Sequence, residues 1–141
     1  MALAAAAAED GNPPFGAVLV GTDGQILAEA GNRQVSDTDP TAHAELLLLR
    51  RASRAGHPPP WRDRLVVSNA EPCSMCASAL VKAGLGDLAY GAPHEPHLDP
   101  DLGVAEVFAR SRRPPRVVPG ILADDCAAQI AALRGTAPPP D

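Results

Sequence analysis

The sequence predicts an α/β fold, a three-layer α/β/α sandwich around a five-stranded mixed sheet. Two observations carry that expectation. Strand-like runs alternate with helix-like stretches in the order β-β-α-β-α-β-α-β-α after a leading helix, a pattern that puts helices on both faces of a mixed sheet. The 141 residues, 45% apolar and 21% charged, suit one core in one domain. The domain is expected over residues 1–134, with 135–141 as a Pro-rich tail.

Each element has a local reason. Ala2 to Ala8 is an Ala-rich helix stopped by Gly11 and Pro13-Pro14. Phe15 to Val20 and Ile26 to Ala30 are apolar runs separated by Gly21-Thr22-Asp23-Gly24, which predicts a β-hairpin. Asp39-Pro40-Thr41 predicts the start of a helix that runs to about Ala55: Asp39 can cap free N–H groups and Pro40 suits a first helical turn. Leu46 to Leu49 are apolar in succession, so that helix is expected to be covered on most sides. Gly56 and His57-Pro58-Pro59-Pro60 end it. Leu65-Val66-Val67 is a strand, Cys73 to Ala83 a helix ended by Gly84, and Leu88 to Gly91 a strand. Gly103 to Arg110 reads as a helix, Arg116 to Ile121 as a strand broken near Pro119, and Ala123 to Leu133 as the last helix.

Composition excludes several function classes. The net charge is −5, which disfavours a general polyanion binder because counterion release needs clustered positive charge. Arg110, Arg112, Arg113 and Arg116 do cluster, as do Arg50, Arg51 and Arg54, and solvated surface is their ordinary explanation. The Ala run at the start has no Lys or Arg before it and is too short to span a bilayer, and no other stretch approaches about 18 uninterrupted apolar residues. Three Cys are too few for a disulfide scaffold. The expected compartment is therefore the cytoplasm, where Cys reads first as a metal ligand or nucleophile.

Two segments carry chemistry: Thr41-Ala42-His43-Ala44-Glu45 and Glu71-Pro72-Cys73-Ser74-Met75-Cys76. Cys73 and Cys76 are three residues apart at a helix start, so both sulfurs can reach one ion, and the positive end of the helix favours thiolates. His43 would be a third ligand. Three protein ligands leave one corner of a zinc tetrahedron open, the arrangement of a catalytic site. Glu45 lies two residues after His43, and such residues do not share a face of a regular helix. The pairing makes sense if the helix tip points into the site, with His43 on the ion and Glu45 placed to move a water proton.

His-x-Glu followed by Pro-Cys-x-x-Cys is the signature of the zinc nucleobase deaminases. Over roughly residues 5 to 130 the sequence resembles the cytidine deaminase superfamily, and within it the branch of guanine deaminases and tRNA adenosine deaminases. Pro14-Phe15-Gly16-Ala17 and Asn32 also fall where that branch has them. The resemblance implies one Zn2+ per chain held by His43, Cys73 and Cys76, with Glu45 as proton shuttle in hydrolytic loss of an exocyclic amine as ammonia. It further implies substrate contacts from the Asn32 amide, the backbone N–H of Ala44 and the ring of Phe15, and a homodimer.

Around this set, Cys126 reads as a buried structural thiol and Glu71 as a group that orients backbone. Trp61 is expected to plug a surface or a subunit contact. His94 and His97 fall on a Pro-interrupted loop; that loop, with Glu95 and Asp99, is a candidate for substrate choice. The acidic balance favours a small base or nucleoside, a guanine-like amino-oxo heterocycle first, over nucleic acid. The alternatives are a tRNA-specific adenosine deaminase, a cytosine or amino-triazine deaminase, and a non-catalytic zinc protein with this fold.

Overall fold

The computed structural model describes residues 1–93 and 102–134. Its elements are α1 (Ala2–Glu9), β1 (Gly16–Val20), β2 (Ile26–Gly31), α2 (Ala44–Arg54), β3 (Leu65–Ala70), α3 (Ser74–Lys82), β4 (Asp87–Ala92), α4 (Val104–Ala109), β5 (Arg116–Val118) and α5 (Ala123–Arg134). The five strands form one mixed sheet in the order β2-β1-β3-β4-β5. The hairpin pairs antiparallel from Gly16 opposite Gly31 to Val20 opposite Ile26, and β3 joins β1 antiparallel on its other side. β4 and β5 add in parallel.

Side-chain alternation along the strands separates the two helical layers. Ala17 and Leu19 of β1, Val66 of β3 and Leu88 of β4 belong to the large core with Leu48 of α2, Leu80 of α3 and Phe108 of α4. On the other layer, α1 packs on β1 and β2, and α5 on β3 and β4. Ala92, Cys126 and Ile130 form a second, small cluster beneath α5. Helix α5 approaches the sheet so closely that a β-carbon on Gly91 would lie 2.5 Å from Cys126 Sγ and 2.8 Å from the Asn69 carbonyl oxygen.

Three expectations need correction. First, α2 does not start at Asp39-Pro40. His43 is its N-cap, in extended backbone with φ −69° and ψ 151°, and Ala44 is its first residue. Asp39 satisfies nearby donors as expected, but those of a turn before the helix: Oδ1 accepts from Thr41 N at 2.8 Å and Thr41 Oγ1 at 2.7 Å. Second, Trp61 is no surface plug. It is fully buried in the chain's own core, and its indole N–H donates to the His57 carbonyl at 2.9 Å. Third, β3 and β4 are longer than their apolar runs, because β3 continues through Ser68 and Asn69, whose polar side chains find buried partners.

Candidate active site

The site lies where β3 ends and α2 and α3 begin. Strand β3 delivers Glu71-Pro72, and Cys73 follows as the N-cap of α3 with Cys76 in its first turn. His43, the N-cap of α2, faces them: its Nδ1 lies 3.5 Å from Cys73 Sγ and 3.6 Å from Cys76 Sγ. The three ligand atoms all lie within 4.8 Å of one another. A tetrahedral zinc with Zn–N of about 2.0 Å and Zn–S of about 2.3 Å holds nitrogen and sulfur about 3.5 Å apart. The spacing and the N,S,S donor set therefore fit one zinc ion, and among the described residues this is the one such group.

The electrostatics of the three groups are coupled. Cys73 is pulled down to about 4, first because Cys76 hydrogen-bonds to its sulfur and then because His43 does, against the opposing effect of burial. Cys76 is pushed up, as the donor in that pair and as a buried neighbour of Glu45. His43 is raised by its hydrogen bond to Cys73. The cluster thus holds a thiolate at neutral pH before any cation is added, the form zinc binds.

Glu45 is the second residue of α2 and only 6% exposed. Burial raises the pKa of its carboxyl, and the hydroxyl of Ser68, which donates to Oε1 at 2.9 Å, opposes that rise. The i,i+2 puzzle of His43 and Glu45 is resolved by the cap. His43 precedes the helix in extended backbone, so its ring need not follow helical spacing, and both side chains reach the sulfurs.

The other predicted residues sit as follows. Asn32 is buried; its Oδ1 accepts from Gln34 N at 2.9 Å and its Nδ2 donates to Gln34 Oε1 at 2.8 Å. Ala44 is fully buried, and its N–H, the first of α2, has no intrahelical acceptor. Phe15 is half-buried against the cluster under α5, with the Arg134 guanidinium 5.4 Å above its ring. Glu71 accepts from Val104 N at 3.2 Å, orienting backbone at the start of α4. Cys126 is buried. His94, Glu95, His97 and Asp99 lie outside the described residues.

Three supporting residues were not singled out from the sequence. Ser68 holds the Glu45 carboxylate. Asn69 accepts from Gly16 N at 2.9 Å and donates to the Pro14 carbonyl at 3.0 Å, fixing the entry of β1 beside the site. Asn12, 2% exposed, accepts from Val35 N and Ser36 N, both at 3.0 Å, and donates to Ser36 Oγ at 2.7 Å. It pins the loop that leads to His43. The one signal for these residues was polarity inside or next to apolar runs. Asn12→Ala removes the buried acceptor that serves the N–H groups of two exposed loop residues, Val35 and Ser36, and at about 0.5–1.5 kcal/mol per hydrogen bond is expected to cost about 1–3 kcal/mol in urea denaturation. Asn12→Asp, which keeps the acceptor, should recover part of it.

The first 92 residues match the family model for the cytidine and deoxycytidylate deaminase zinc-binding region. The tRNA-specific adenosine deaminase of Bacillus subtilis is 32% identical over 135 residues, 90% of this chain and 79% of that protein. The guanine deaminase of Bacillus subtilis is 40% identical over 81 residues, and the match spans about half (51%) of that protein. The match to tRNA(Ile)-lysidine synthase of Deinococcus radiodurans, 41% identical over 92 residues, spans 16% of that much longer protein. Among solved structures, a tRNA:A34 deaminase superposes with a TM-score of 0.78 at 35% identity, covering 92% of this chain and 93% of its own. Motif, fold and the N,S,S cluster lead to the same conclusion: the chain belongs to the cytidine and deoxycytidylate deaminase zinc-binding family.

Proposed function

We propose that the protein is a zinc-dependent hydrolytic deaminase that releases ammonia from a small nucleobase or nucleoside, a guanine-like amino-oxo heterocycle first. The observation that carries the reading is the pairing of the N,S,S donor set with a buried carboxylate held at 2.9 Å by Ser68. A structural zinc site has no use for such a carboxylate.

His43, Cys73 and Cys76 would hold the ion, and bound zinc would lower the pKa of a water molecule toward about 7 and polarise it for attack. Glu45 accepts the proton of the attacking water and passes it to the ring nitrogen, then takes a second proton from the newly added hydroxyl and passes it to the departing amine, which leaves as ammonia while the carbonyl forms. Burial, which raises its pKa, suits a group that must hold each proton between taking it and passing it on. The Asn32 amide can donate and accept at the edge of the base, and its hydrogen bonds to Gln34 fix its orientation for that role. The N–H of Ala44 donates to a base carbonyl oxygen, and Phe15 lines the ring side.

Charge supports a small substrate. The loops and helix start that flank the site carry Asp37, Asp39, Glu71 and Glu106, and the cations nearest them, Arg33 and Arg50, are paired with Asp37 and Asp39, whereas a polyanion needs cations in excess there. The second reading is a tRNA-specific adenosine deaminase, favoured by the 135-residue match to such an enzyme. A homodimer in the cytoplasm is part of the proposal; no described helix is long and apolar enough to cross a membrane. The test is ammonia release by zinc-loaded protein from a panel of guanine, other amino-heterocycles, nucleosides and tRNA. Release from guanine or a related small compound is expected. Release from tRNA alone would replace the substrate class, and release from none would replace catalysis by a purely metal-holding role.

A further inference from the structure

The chain is acidic as a whole, yet its positive charge is gathered at the end of the sandwich away from His43 and Cys73. Strands β3, β4 and β5 begin at that end and helices α2, α3 and α4 finish there. The helices bring Arg54, Lys82 and Arg110, each at or next to a C-terminus, where a cation complements the helix dipole. That ordinary explanation does not extend to the other five, which lie on connecting segments or at a strand start. Arg62 and Arg64 precede β3, and Arg112, Arg113 and Arg116 lead into β5.

Backbone hydrogen bonds join these segments into one surface. Trp61 N donates to Ala83 O at 3.0 Å, Gly86 N to Trp61 O at 2.9 Å, Asp87 N to Arg64 O at 3.1 Å and Arg116 N to Gly86 O at 2.8 Å. Seven of the eight cations are exposed; the eighth, Arg64, has Nη1 buried with no acceptor among the described residues. The acids at this end are Asp23, Asp63 and Asp87, and Asp87 is already occupied by Arg116 at 2.7 Å. Eight positive charges thus face three negative ones on a protein whose net charge is −5.

From this segregation we infer that the end opposite the catalytic centre is a docking surface for the phosphate backbone of a nucleic acid. A small anion would use one or two of these cations, whereas a polyphosphate chain matches several at once. Recognition is by charge and independent of base sequence, because the surface is built of arginines on loops with no helix or ribbon shaped to enter a groove. A strand held there is turned away from His43, so the surface tethers the protein and does not present a base to it. The inference stands whichever substrate the deaminase reading takes.

Fluorescence anisotropy with labelled duplex DNA, duplex RNA and single-stranded RNA of matched length tests it with the zinc-loaded full chain. Binding is expected at about 50 mM salt and, for about five phosphates neutralised on a duplex, a slope of log K against log salt near −4 to −5. Arg62→Ala, Arg112→Ala and Arg113→Ala combined should make that slope shallower by about 3, one unit per phosphate contact, with ammonia release unchanged. Arg50→Ala, whose guanidinium reaches toward Asp39 on the site half, should leave the slope as it was. The three nucleic acids separate a DNA partner from an RNA one. No binding at the lower salt, or a slope that the triple variant leaves intact, overturns the inference.

Discussion

Cys73→Ala is expected to lose zinc and turnover together. The substitution removes one of three donors, and it also takes away the sulfur to which both His43 and Cys76 are hydrogen-bonded. Zinc bound to preformed thiolate sites contributes on the order of 10 kcal/mol of apparent binding free energy, so loss of a thiolate ligand should empty the site at ordinary metal concentrations. Metal analysis of the purified variant should fall from one zinc per chain toward none, and ammonia release toward the uncatalysed rate. Cys73 lies at the start of α3 and is only partly buried, so the polypeptide should still fold, which circular dichroism would show. A variant that kept stoichiometric zinc would mean that the ligand set is wrong.

Glu45→Gln separates proton transfer from metal binding. The amide keeps the shape of the carboxyl and an oxygen for the Ser68 hydroxyl, so zinc content and folding should be retained. It cannot accept the water proton. Turnover should drop by about 10²–10⁴-fold, the usual contribution of a positioned general acid–base. Because burial penalises the charged carboxylate, the variant should melt no lower than the parent. Full turnover in Glu45→Gln would exclude the proposed proton route, whatever the substrate.

Much of this was legible in the sequence, for identifiable reasons. The sheet and its flanking helices follow from the alternation of apolar runs with helical stretches, and the hairpin from its Gly-bounded turn. The donor set was legible because Cys73 and Cys76 combine close spacing with a helix start. What escaped depends on long-range partners. Ser68 and Asn69 look like the end of a strand until Glu45 and Pro14, 23 and 55 residues away in the chain, supply their hydrogen bonds. The start of α2 was misplaced because Asp39 satisfies a turn as readily as a helix end, and local sequence does not choose between the two. Trp61 was misread because three neighbouring prolines suggest surface, while its indole turns inward to meet His57.

The fit of α5 against Gly91 has a chemical outcome. The Cys126 sulfur lies against Gly91 with no room on that side for an oxygen atom or an alkyl group, so a modified thiol would have to project into the cavity of about 170 Å³ that Cys126 lines with Leu3, Val67 and Leu122.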